Sequence, residues 1–162
     1  MLRLGLIAAA LTLAGAASAR AADTPLPIEL NKLEPLPAAG TTPAGCRIYF
    51  VINNNDVDTL AQLRLDLILF RTDGVIARRV ALDLGPLPGK KTGVRLFDLS
   101  GQPCDSIGKV LINDVLACQS TPAGQPPAPA TPAPVTPAPV TTTACLDRLT
   151  PTSRIAAVTF SK

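Results

Sequence analysis

The sequence has no histidine and no tryptophan, and aromatic residues make up only 3% of its 162 positions. Without histidine, neither a Ser-His-Asp nor a Cys-His arrangement can be assembled from this chain. The 11 glycines are scattered among turns, so no Gly-rich phosphate loop is formed. Charge is modest: 15 Lys and Arg stand against 12 Asp and Glu. That balance argues against a nucleic-acid partner or a charged membrane surface. With so few aromatics, a core has to be built from Leu, Ile and Val.

What is present begins with an export signal. Arg3 precedes an unbroken apolar run from Leu4 to about Ala17, followed by the small residues Ala17-Ser18-Ala19. This order is that of a cleavable secretory signal peptide, residues 1–19. The run is too short to cross a bilayer core, which needs about 20 residues, so stable membrane insertion is not expected. No cysteine lies near the cleavage site and no Arg-Arg pair precedes the run, so the general secretion route is favoured over lipidation or a twin-arginine route. Composition rich in Ala and Pro points to a high-GC bacterium. The expected location is therefore periplasmic or secreted, after cleavage near Ala19.

All four cysteines, Cys46, Cys104, Cys118 and Cys145, lie beyond the signal. An even count in an oxidising compartment reads as two structural disulfides. A metal site is the competing reading, and wide cysteine spacing and the missing histidine weigh against it. No cofactor is expected.

Residues 20–45 are rich in Pro, Ala and Thr and read as an extended N-terminal segment, with Ile28 and Leu30 adding a short strand. Residues 46–120 read as the core. Cys46–Asn53 favours a strand through Tyr, Phe, Val and Ile, and Asn53-Asn-Asn-Asp56 ends it in a turn. In Leu63–Phe70 the leucines at 63, 65, 67 and 69 share a face at period two, with Arg64 and Asp66 opposite. Asp73-Gly74 is a hairpin signal, and Val75–Leu82 returns from it with Ile76, Val80 and Leu82 on one face. Thr92–Leu99 and Lys109–Cys118 are further strands, the latter with a bulge or bend at Asn113-Asp114. Leu146–Leu149 reads as a short turn of helix before Pro151, and Arg154–Phe160 as the last strand, within a C-terminal segment 145–162 that completes the fold. Strands at this spacing with no long helical pattern argue for an all-β fold, a small antiparallel β-sandwich with a Pro-rich insertion before the last strand.

Strand parity selects among the three cysteine pairings. If each strand reverses its predecessor, Cys46 and Cys104 fall at one end of the sandwich and Cys118 and Cys145 at the other. The expected bridges are Cys46–Cys104 and Cys118–Cys145, the second clasping the base of the insertion. That insertion, residues 121–144, holds two copies of Thr-Pro-Ala-Pro-Val, at 131–135 and 136–140. Proline fixes φ and removes the N–H donor, so the segment is expected to be a stiff polyproline-like arm outside the sheets. Such an arm serves either as a ligand or spacer or as a plain surface insertion.

Three weaker constellations remain. Asn54, Asp56 and Asp58 alternate and could converge on calcium, but they lack a downstream Glu and read better as turn residues. Arg78, Arg79, Lys90, Lys91 and Arg95 could gather against an anionic partner, or guard sheet edges against pairing. Ser100 and Ser106 have no base in the sequence pattern, so no catalytic residue is assigned.

Leu69-Phe-Arg-Thr-Asp-Gly74, preceded by an Asn-rich turn and an alternating strand, resembles the Leu-Tyr-Asp-x-x-Gly hairpin of FxLYD-type domains. Those are small extracytoplasmic immunoglobulin-like sandwiches. Residues 46–118 also resemble a group of uncharacterised exported bacterial proteins. The resemblance implies a small immunoglobulin-like antiparallel β-sandwich and no catalytic residue; the four cysteines and the Pro-rich insertion depart from it. The expectation is a non-enzymatic exported sandwich that binds another envelope protein, or a spacer whose Pro-rich arm is the interaction element.

Overall fold

The computed structural model describes residues 24–123 and 142–162. The expected signal peptide and both copies of the Pro-rich unit lie outside the described residues. Eight strands run in chain order: β1 (Leu26–Leu36), β2 (Gly45–Asn54), β3 (Thr59–Arg71), β4 (Ile76–Asp83), β5 (Lys91–Ser100), β6 (Ile107–Thr121), β7 (Leu149–Ser153) and β8 (Thr159–Ser161). A 3-10 turn, Cys104–Ser106, precedes β6, and a short helix, α1 (Thr142–Arg148), precedes β7. The strands form two four-stranded sheets, ordered β5-β2-β1-β7 and β4-β3-β6-β8. They pack as an all-β sandwich.

The core follows the alternation. Leu63, Leu65, Leu67 and Leu69 of β3 are all buried, facing Ile48, Phe50 and Ile52 of β2 and Ile28 and Leu30 of β1. Each such side chain contributes about 1.5–3 kcal/mol by leaving water. Phe50 joins the sheets, its ring centroid 5.5 Å from that of Phe160 on β8 and 6.3 Å from that of Phe97 on β5. The hairpin turns where expected, with Gly74 at φ 83°, a conformation a Cβ would strain.

Both disulfides pair as parity predicts. Cys46–Cys104 has Cα atoms 4.9 Å apart, and Cys118–Cys145 has them 6.4 Å apart. Sequence separations of 58 and 27 residues correspond to about 4 and about 3.6 kcal/mol in the loop-entropy picture. Each sheet thus carries one bridge: Cys46 on β2, Cys118 on β6.

Four expectations need correction. The sandwich starts at Leu26, not Cys46: the residue 20–45 segment contains a full 11-residue strand held between β2 and β7, because Leu26, Ile28 and Leu30 fill the core. The sheets are not purely antiparallel, since β1–β7 and β6–β8 are parallel pairs. The single last strand at 154–160 is instead two short ones, β7 on one sheet and β8 on the other. Pro151 sits within β7, where it is tolerated because β7 is an edge. Finally, Ile76 does not share the face of Val80 and Leu82. The register slips between Leu69 and Phe70, pairing Ile76 with Phe70, and Ile76 is left exposed.

The bulge anticipated at Asn113-Asp114 is present. Asp66 pairs with Asp114 and Leu67 with Ile112, leaving Asn113 extra. Among the described residues no helix is long and apolar enough to cross a membrane.

Candidate functional site

The two sheets turn different surfaces outward. On β4-β3-β6-β8, Asp66 points away from the core yet is almost fully covered. Arg79 donates to it twice, Nε at 2.7 Å and Nη2 at 2.9 Å, and Asn113 Nδ2 donates at 2.6 Å. The Arg79 bonds hold the Asp66 carboxyl below its ordinary range against the opposing cost of desolvation, with Asn113 adding to the shift. Three adjacent strands are latched at one carboxylate, and the latch grips the bulged residue itself. Nearby, Lys109 Nζ lies 5.5 Å from the centroid of the Phe70 ring. A shallow hollow of about 340 Å³ opens beside this pair, lined by Phe70, Arg71, Thr72, Gly74, Gly108 and Lys109. Arg71 there is held by Asp73 at 3.3 Å.

On β5-β2-β1-β7 the outward side of the β5–β2 pair is apolar. Tyr49 stands opposite Leu96, and Val51 opposite Val94. Inward-facing Ile48, Phe50 and Ile52 alternate with them along β2. Val94 is 50% and Leu96 47% exposed. Directly opposed side chains on neighbouring strands touch, so the four make one continuous apolar block.

The rim of this block is polar and internally satisfied. Arg47 grips Asp98 with Nε at 2.6 Å and Nη2 at 2.9 Å. Thr92 donates to Asn53 at 2.6 Å. Lys32 pairs with Glu34 at 3.0 Å and lies over the Tyr49 ring, 5.1 Å from its centroid. The Tyr49 hydroxyl donates to Glu34. Arg154 pairs with Glu29 at 2.8 Å. The carboxyls respond accordingly: Glu34 is lowered chiefly by Tyr49 and then Lys32, Asp98 by Arg47, and Glu29 by Asn31 and Arg154.

The basic residues singled out in the sequence do not form one patch. Arg78 of edge strand β4 reaches across to donate to the Ser100 carbonyl of edge strand β5, at 3.0 Å. Arg95 of β5 reaches back to the Leu84 carbonyl at 3.0 Å, and to that of Pro86. The two long edges are laced together by arginines, a protection against edge pairing. Arg79 serves the Asp66 latch, and Lys90 donates to the Asn55 carbonyl.

Asn54, Asp56 and Asp58 do not converge. Asn54 is buried, its amide donating to the Asp58, Leu87 and Pro88 carbonyls, while Asp56 pairs with Arg148 and Asp58 accepts from the Ala123 N–H. Among the described residues no three His, Cys, Asp or Glu side chains are grouped to hold a metal. Ser106 is engaged with Gln102 and the Pro103 carbonyl.

The apolar block was missed in the sequence reading. Its signal was available: Ile48-Tyr-Phe-Val-Ile52 is apolar on both faces, whereas a strand with one wet face alternates. No protein-family model, curated protein or solved structure matches the chain.

Proposed function

We propose that this protein is an exported, non-enzymatic immunoglobulin-like β-sandwich that binds another envelope component through the outward face of β5-β2-β1-β7. The observation that carries the reading is the outward block of exposed Val94 and Leu96 with half-buried Tyr49 and Val51, bordered by three ion pairs. An apolar centre with a polar rim is the anatomy of an interface. The export pattern at residues 1–19 and the two cysteine pairs support an oxidising compartment outside the cytoplasm.

A photo-crosslinking residue placed at Leu96 in cells tests this. Crosslinks to an envelope component from position 96, absent when the same residue replaces Ile76 on the other sheet, are expected. No crosslink from 96, or equal capture from both faces, overturns the reading.

A second reading assigns the contact to the Pro-rich arm. It is favoured by the Cys118–Cys145 bridge, which brackets that segment. Deleting residues 124–141 separates the two: crosslinking from position 96 survives the deletion if the sheet face is the contact.

A further inference from the structure

We propose that the hollow beside Phe70, on the outward side of β4-β3-β6-β8, is a binding site for a small organic carboxylate, a monoanion with a flat apolar body. The site lies on the sheet opposite the β5-β2 block and does not rest on the contact proposed there. Three observations point to it.

The first is how the backbone opens the place. Phe70 has a bulge on each side. On β4, Leu69 pairs with Arg78 and Phe70 with Ile76, leaving Ala77 extra. On β6, Phe70 pairs with Lys109 and Arg71 with Ile107, leaving Gly108 extra. Bulges re-aim side chains and gather next to active sites. A Cβ at Gly108 would lie 2.9 Å from the Arg71 carbonyl oxygen and 2.9 Å from Thr72 Cα, so this bulge takes glycine and adds no side chain to fill the hollow. The Thr72 N–H donates to the Ser106 carbonyl at 3.2 Å, which ties the rim to the 3-10 turn. The volume of about 340 Å³ is at the small end of ligand sites, which run from roughly 300 to 1,000 Å³.

The second is charge. The six lining residues include two cations, Arg71 and Lys109, and no carboxylate. Arg47, Arg79, Arg148 and Arg154 each hold a carboxylate elsewhere. Lys109 forms neither an ion pair nor a side-chain hydrogen bond among the described residues, and its ammonium is free to take an anion. Asp73, which holds Arg71, limits the charge the hollow accepts: a dianion there meets its repulsion, a monoanion less so.

The third is the ring. Phe70 lines the hollow with Lys109 Nζ 5.5 Å from its centroid. An apolar body laid against this ring brings its own carboxylate beside the ammonium. Thr72 adds a hydroxyl to the lining. Apolar contact with a few placed polar groups is how small-molecule sites combine hold and orientation.

Amide NMR shifts of the exported, oxidised chain, titrated with phenylacetate, read the site. Saturable shifts at Gly74, Gly108 and Lys109 are expected, with a dissociation constant roughly millimolar for so small a ligand. Lys109→Gln should weaken binding about fivefold, the upper range of one exposed ion pair. Phe70→Leu keeps an apolar side chain, loses the ring, and should weaken it about threefold. Lys91→Gln removes an exposed cation of β5 and should change nothing. Phenylacetamide, the neutral isostere, should bind about fivefold more weakly, and inorganic phosphate should give no saturable shift at these amides. Thermal melting of each variant separates a lost site from a lost fold, and the ligand series needs no variant at all. No saturable shift with phenylacetate, equal binding of phenylacetamide or of phosphate, or indifference to Lys109→Gln overturns the site. N-acetyl-alanyl-phenylalanine tests the source of the carboxylate. Binding no tighter than that of phenylacetate supports a free small molecule, and binding at least about tenfold tighter overturns that source in favour of a chain end. None of these outcomes bears on crosslinking from position 96.

Discussion

The two outward faces of this sandwich use the same residue types to opposite ends. On β4-β3-β6-β8, charged side chains lie inward over the sheet: Arg79 and Asn113 cover Asp66, and Lys109 covers Phe70. On β5-β2-β1-β7, charged side chains pair with one another, Lys32 also lying over Tyr49, and no buried carboxylate ties the strands together; Val94 and Leu96 stay in water. The difference lies in what the polar side chains are tied to. One face consolidates register across three strands; the other keeps a surface whose exposure the fold itself does not need.

Four outcomes would break or sharpen that contrast. The largest concerns what the faces share beneath them. Phe50→Ala removes the ring that touches both Phe97 and Phe160, and should cost about 3–5 kcal/mol in urea unfolding. Its chain neighbour Val51 points outward, and Val51→Ala should stay within about 0.5 kcal/mol. Similar costs for both would mean that the outer block is structural.

Next comes the latch. Asp66→Ala leaves Arg79 and Asn113 without their acceptor and should cost about 1–2 kcal/mol, below the range for a fully buried charged bond because Arg79 is mostly solvated. Melting-temperature loss should follow, with crosslinking from position 96 unchanged.

The third outcome is a pH dependence of that same cost. The folded-state pKa of Asp66 is lowered from its ordinary 3.8, first by the Arg79 hydrogen bonds. Its stabilising contribution is therefore present above the unfolded value and lost as pH falls through the lower folded one. The stability gap between wild type and Asp66→Ala should close as pH drops below about 4. A gap that widens in acid would show that Asp66 is held protonated, and the latch would have to be redrawn.

The smallest effect on stability belongs to Leu96→Arg, which should unfold within about 0.5 kcal/mol of wild type. A large loss there would return the β5 block to the fold and remove it from recognition.

The central strands were legible because their alternation is driven by burial alone. Leu63, Leu65, Leu67 and Leu69 point inward in the structure as their spacing requires. The bridges were legible for a related reason: reversing strands place chain ends by parity, and that parity survives errors of a residue or two in strand limits. The closing strands were not. β7 is five residues long and contains Pro151, and β8 has three residues. Neither carries a periodic signal of its own; each exists because β1 or β6 offers it a free edge. The inversion of Ile76 depended on a register slip opposite Phe70, which no composition marks. The candidate interface was hidden for the opposite reason. A strand apolar on both sides looks like deep core, and β5 had to be placed beside β2 before Val51 and Tyr49 could be seen to face outward.

The parallel pairing of β1 with β7 and of β6 with β8 also sets an order of events. A chain emerging N-terminus first can form the β2–β5 and β3–β4 ladders early, but both closing strands come from residues 149–161, after every other described strand. Until then β1 and β6 are themselves rims, long and without the lacing arginines that guard β4 and β5. The interval between emergence of β6 and arrival of β8 is thus when the chain is most open to joining the wrong strand, and a chaperone or a short delay in folding would matter most there.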